Sequence, residues 1–189
     1  MWILPSKHAD KRLKKAAQSL AACLPSARFF PRGERSLERF QELAEREAED
    51  TLLVVSGPGT DGDRGGASSI LFILRSRRLS GRLWAWANEE LAISNFKAAG
   101  RPKAAADSRL QPASEPYLLK AEPLSAKHLA SFLGLREHPL AQFYDDLPAF
   151  VLEVKEKKGQ PSSASLAFEG SPLLSFHYTN RRLCGAEKE

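Results

Sequence analysis

Apolar positions along the first half of the chain change period several times, and each change marks a predicted element. Trp2, Ile3 and Leu4 form a short apolar run that reads as a first strand. Over residues 8 to 23 the spacing is helical: Leu13, Ala17, Leu20 and Leu24 share one face, while Lys7, Lys11, Lys14 and Lys15 fall on another. Pro25 ends that helix and Arg28-Phe29-Phe30 can form a short strand. Ser36 can accept a hydrogen bond from a first-turn N–H, so a second helix is expected from there through Asp50, burying Leu37, Phe40, Leu43 and Ala44. TLLVVSG and SSILFILRSRR are continuous apolar runs, the pattern of strands covered on both faces. RLWAWANEEL alternates instead, with Leu83, Ala85 and Ala87 on one face and Trp84 and Trp86 on the other. Both faces are partly apolar, which predicts another internal strand.

Residues 97 to 116, rich in Ala, Pro and Ser, carry little periodicity and read as a flexible connection or insertion. Beyond them come PYLLKAEPL, a helix over SAKHLASFLGL with Leu129, Phe132 and Leu133 inward, and three strands in AFVLEVKEKKG, SASLAFEG and LLSFHYTNRR. Gly159-Gln160-Pro161 and Gly170-Ser171-Pro172 supply the turns between those strands. The order of elements predicts a layered α/β fold. We expect one domain over 1–189, made of an N-terminal half (1–92), a connection (93–116) and a C-terminal half (117–189).

Composition narrows the classes. The chain of 189 residues is 42% hydrophobic, enough for a core without staples. Cys23 and Cys184 lack any Cys-x-x-Cys spacing and suggest neither a disulfide framework nor a zinc ribbon. No run approaches the roughly 18 apolar residues of a membrane span, and the charges of the first segment follow a very short apolar run, so a soluble, cytoplasmic protein without membrane or small-molecule partners is expected.

The net charge of +5 is unevenly placed. Residues 1 to 35 hold eight basic against two acidic side chains, 36 to 63 two against eight, and 64 to 110 nine against three. Two cationic blocks separated by an acidic helix suit a polyanion if they fold onto one side. On charge alone an ordinary solvated surface serves equally well.

The motifs for small-molecule chemistry are weak. Gly57, Gly59 and Gly62 spell a dinucleotide-like glycine pattern, but a strand follows where that motif needs a helix, and Asp61 and Asp63 would repel phosphate. Residues 57 to 66 are therefore expected to be a mobile strand connection. His8, His128, His138 and His177 show no paired metal spacing, and Asp145-Asp146 reads as a solvated turn, so neither a metal, a cofactor nor an enzyme is expected.

The most specific feature is a pair of basic segments. PSKHADKRLKK places Ser6 and Lys7 at a strand end, with Lys11, Arg12, Lys14 and Lys15 on the next helix, whose N-terminus can add N–H donors for phosphate. FFPRGERSL puts Arg32, Gly33 and Arg35 in a tight loop before a second helix. If the preceding strands are parallel, both loops fall at one end of the sheet and line a single basic edge.

These segments resemble the Brix domain of ribosome-assembly proteins, through Ser6-Lys7 with Lys11-Arg12 and through Arg32-Gly33-Glu34-Arg35-Ser36-Leu37. The resemblance is clear over residues 2 to 57 and general over the closing strands, where it adds Arg181 and Arg182. It implies two pseudo-equivalent halves, each a small mixed sheet with helices similar to the anticodon-binding domains of class IIa synthetases. It also implies a non-catalytic ribosome biogenesis protein of compact archaeal type, active in rRNA processing, whose RNA-binding surface takes precursor ribosomal RNA and whose other partners are ribosomal or assembly proteins. A tRNA-binding accessory module and a protein-interaction scaffold are the other readings. Titration with ATP, GTP and NAD should leave the Gly57 to Gly62 amide resonances unmoved; a saturable shift there would establish a nucleotide site.

Overall fold

The computed structural model describes residues 1–25, 27–57, 70–99, 118–122, 124–135, 149–156, 159–168 and 170–181. In chain order the elements are β1 (Trp2–Pro5), α1 (Lys11–Cys23), β2 (Arg28–Phe29), α2 (Leu37–Arg46), β3 (Thr51–Ser56), β4 (Ile70–Ser80) and β5 (Leu83–Ala98), then β6 (Leu118–Glu122), α3 (Leu124–Phe132), β7 (Ala149–Lys155), β8 (Ser162–Phe168) and β9 (Ser171–Arg181). The described strands form one nine-stranded mixed sheet in the order β2-β1-β3-β4-β5-β9-β8-β7-β6. The expected α/β class is therefore what the chain adopts. β1 lies parallel between β2 and β3, β6 is parallel to β7, and the remaining neighbours are antiparallel.

Side-chain alternation divides the sheet into two faces. On one, Ile3, Leu53, Val55, Phe72, Leu91 and Ile93 meet Leu13, Ala17 and Leu20 of α1, and the same core runs on to Leu129 and Phe132 of α3 and to Leu152, Leu166 and Phe176. On the other, Trp2, Leu4 and Leu52 meet Phe40 and Ala44 of α2. Each residue step along β1 thus changes the helix that its side chain supports. At the centre, the Phe72 ring stands edge-on to Phe96 at 5.8 Å and to Phe176 at 6.0 Å, joining β4, β5 and β9.

Several boundaries differ from the sequence reading. α1 starts at Lys11 because Asp10 caps it, and the residues before it form a turn. α2 ends at Arg46, before Asp50. The chain reverses through Ala48 at φ +55°, with the Glu49 N–H donating to the Ala44 carbonyl at 2.8 Å, a stop that no glycine announces. β5 runs on to Ala98, so residues 93 to 98 of the expected connection are strand; Asn95, at φ +53°, sits in a bulge between Ser94 and Lys97. Residues 100 to 116 of that connection, the glycine loop beyond Gly57, Asp145, Asp146 and His138 lie outside the described residues. β5 is internal only from Glu90 onward, where it pairs with β9. Its first part pairs with β4 alone among the described strands, around a turn that holds Gly81 at φ +60°.

Because Phe72 is wholly buried at this junction, Phe72→Ala should cost about 3–5 kcal/mol. Leu79→Ala, on a side chain left 61% exposed, should stay within about 0.5 kcal/mol of wild type. Urea unfolding of the two variants measures both values.

Candidate nucleic-acid interface

The two basic segments begin on neighbouring strands. β1 and β2 pair in parallel, Trp2 with Arg28 and Ile3 with Phe29, so the loops that follow them leave from the same end of the sheet. In the first loop the Ser6 N–H donates to the Val55 carbonyl at 2.8 Å and the Ala9 N–H to the Ser6 carbonyl at 3.1 Å, a turn that holds Lys7 and His8 in solvent. In the second, the Phe30 N–H donates to the Ile3 carbonyl at 3.0 Å, and its ring lies 4.3 Å from Trp2. Gly33 then takes φ +56°, the left-handed conformation for which glycine is suited, and the Arg35 N–H reaches the Arg32 carbonyl at 3.3 Å. Arg32 Nε in turn donates to the Arg35 carbonyl at 3.0 Å, while the Arg35 side chain is exposed.

The start of α1 is electrostatically unusual. Asp10 accepts from the Leu13 N–H at 2.8 Å and so occupies part of the N-terminus with its own carboxylate. Lys11, Arg12, Lys14 and Lys15 then crowd the first turns, with no acidic residue in the first turn and no basic residue in the last. Cations at the positive end of a helix dipole destabilise it by some tenths of a kcal/mol each, and a bound anion would offset that cost. α2 shows the usual arrangement, with Glu38 in its first turn and Arg46 in its last. Arg12 and Lys15 also line an open cleft of about 330 Å³ between α1 and the end of β5, beside Ser19, Asn95 and Phe96.

Beyond the shared loop end the two groups diverge. α1 carries its lysines over one face of the sheet, whereas Arg32 turns toward α2 on the other. There the Glu38 carboxyl is held below its ordinary range by backbone and Ser36 hydrogen bonds, and further by Arg75 and Arg32. Burial lowers both guanidinium values, Glu38 counters it, and Arg32 adds repulsion at Arg75. One carboxylate thus feels two guanidinium groups, which leaves excess positive charge near the base of the Arg32 loop.

Arg75 is the residue that the sequence reading missed. Cross-strand register puts it in one row with Trp2 and Leu52 on the α2 face, a placement that the alternation of ILFILRSRR could have suggested once its face was known. Arg181 pairs with Glu90 at the far side of β5, four strand spacings or roughly 19 Å from β1. The structure does not bring Arg181 to the loops, and Arg182 lies outside the described residues. The single edge expected from the sequence is thus a shared end from which charge spreads onto both faces.

Among the described residues no three His, Cys, Asp or Glu side chains gather where a metal could be held, and no helix is long and apolar enough to cross a membrane. The buried Cys23 thiol donates to the Leu173 carbonyl at 3.2 Å.

No protein-family model matches the sequence, and no curated protein matches it significantly. Solved structures do. The chain is similar to the crystal structure of a probable ribosomal biogenesis protein from Aeropyrum pernix K1, with a TM-score of 0.65 over 96% of each chain at 16% sequence identity. At that identity the likeness shows a shared fold, over nearly the full length of both chains.

Proposed function

We propose that the chain is a non-catalytic RNA-binding protein of ribosome assembly that holds precursor ribosomal RNA through phosphate contacts. The observation that carries this reading is the convergence of the Lys7 and Arg32 loops, with the cation-loaded start of α1, at one end of adjacent parallel strands. A polyanion meets several donors and cations there at once, and the cleft that Arg12 and Lys15 line is open. The structural likeness to a probable ribosomal biogenesis protein supports assigning that polyanion to ribosome assembly.

Strand pairing also supports the Brix-like reading of two equivalent halves. From the outside inward, β1-β3-β4-β5 pair parallel, antiparallel, antiparallel, and β6-β7-β8-β9 repeat those senses. α1 follows β1 as α3 follows β6, and both helices pack into the same core on one face. The N-terminal half adds β2 and α2, the elements that build the Arg32 loop.

Filter binding of a ribosomal RNA fragment over a range of salt tests the proposal. The pair Lys11→Glu with Arg32→Glu should weaken binding across RNA sequences, and each lost phosphate contact should lower the log–log salt slope by roughly 0.7 to 0.9. A folded double variant with unchanged affinity and slope would contradict the assigned surface, and equal affinity for tRNA would favour a tRNA-binding module instead.

A further inference from the structure

The β4–β5 hairpin projects from the sheet at the end opposite the basic loops. Ser76 is the last residue of β4 paired with β3, and Glu90 the first of β5 paired with β9. Past Arg77, whose N–H donates to the Asp50 carbonyl at 2.9 Å, residues 78–80 and 83–85 pair only with each other among the described strands. This arm carries the exposed large apolar side chains of the described residues: Leu79 at 61%, Leu83 at 76% and Trp84 at 56% exposure. Between Leu71 and Asn88 the sequence holds Arg75, Arg77, Arg78 and Arg82 and no acidic residue.

The arrangement of these groups selects the partner. Leu79 pairs across the hairpin with Trp84, and Arg77 with Trp86, all on the α2 face, while Leu83 points to the other face. The apolar groups are therefore split between two faces and interrupted by a guanidinium, whereas a protein interface gathers them into a core with charge at its rim. Arg77 Cζ lies over the Trp84 ring, 5.1 Å from its centroid, and the indole residue still keeps more than half of its surface in solvent. Arg78 is held by Glu89, and Trp86 Nε1 donates to Glu45 at 3.0 Å, so the base of the arm is anchored while its tip stays open. An aromatic face flanked by arginines is the arrangement that stacks an unpaired base and steadies its phosphates.

We propose that this hairpin tip is a second contact for RNA, with an unpaired base stacked on the exposed Trp84 ring and the flanking phosphates met by Arg77 and Arg82. The inference rests on the RNA-binding reading but concerns a different place, chemistry and RNA form from the loop end. Single-stranded character is what the tip recognises, since a duplex offers no exposed base face.

A labelled oligouridine and an RNA duplex of mixed sequence test it on the full chain. Trp84→Ala should weaken oligouridine binding by about 5- to 100-fold and leave duplex binding unchanged, Trp84→Phe should retain most of the affinity, and oligouridine should quench Trp84 fluorescence. Near-ultraviolet circular dichroism checks that each variant is folded. If Trp84→Ala binds oligouridine like wild type while Lys11→Glu with Arg32→Glu does not, the hairpin proposal is wrong and the RNA reading stands. If wild type binds neither RNA, that reading fails with it. Loss of self-association on mutating Trp84, with RNA binding intact, would reassign the tip to a second copy of the chain and overturn the proposal.

Discussion

The pairing of β5 with β9 is the constraint on which the rest of the molecule depends. Without it the sheet would fall into two smaller ones, β2-β1-β3-β4-β5 and β9-β8-β7-β6, each with a bare edge where the other now lies. Hydrogen bonding alone would leave that junction weakly specified. Its register is fixed by burial: Ile93 opposite Tyr178 and Ala98 opposite Leu174 point to the face that α1 and α3 cover, and a one-residue slip would expose them. The Phe72, Phe96 and Phe176 rings interlock across the same junction, and α1 reaches over it to bond Leu173 through Cys23. The bulge at Asn95 absorbs the extra residue that this fit requires.

A sheet held in this way separates two ends with different chemistry. The carboxyl ends of β1 and β2 present short loops and the start of α1, where fixed backbone donors and lysines gather. At the opposite end the hairpin offers an exposed indole flanked by arginine side chains on a narrow arm. The first end suits phosphate contacts that are indifferent to sequence, the second the faces of bases free of pairing. α2 stands between them, with Arg32 and Arg75 at its start and Glu45 bonded to Trp86 near its end.

Local signals explain what was legible in the sequence. The Ser36 cap, the apolar run at Leu52 to Val55 and the alternation around Trp84 and Trp86 each depend on a few neighbouring residues, and each element was expected where it lies. The end of α2 was not legible because Ala48 adopts a left-handed conformation that its identity does not demand. The reach of β5 past residue 93 was hidden for a similar reason: its partner β9 lies more than seventy positions later, as in the pairing of Ile93 with Tyr178, and strand pairing leaves no periodic trace in either segment alone. The site was half visible. Spacing placed both basic loops at one end, but only the packing of α1 and α2 on opposite faces separates Arg32 from the lysines and brings it beside Arg75.

Native-state hydrogen exchange over a range of denaturant is the measurement that most directly tests whether β5 and β9 make one cooperative sheet. Amides of Leu91, Ile93, Phe176 and Tyr178 should open together with those of Leu53 in β3 and Leu152 in β7, at one free energy and one denaturant slope, because opening the junction exposes the core shared by both halves. If β6 to β9 instead exchange as a separate unit at distinctly lower free energy while β1 to β5 remain protected, the central pairing does not hold the molecule together and the account is contradicted.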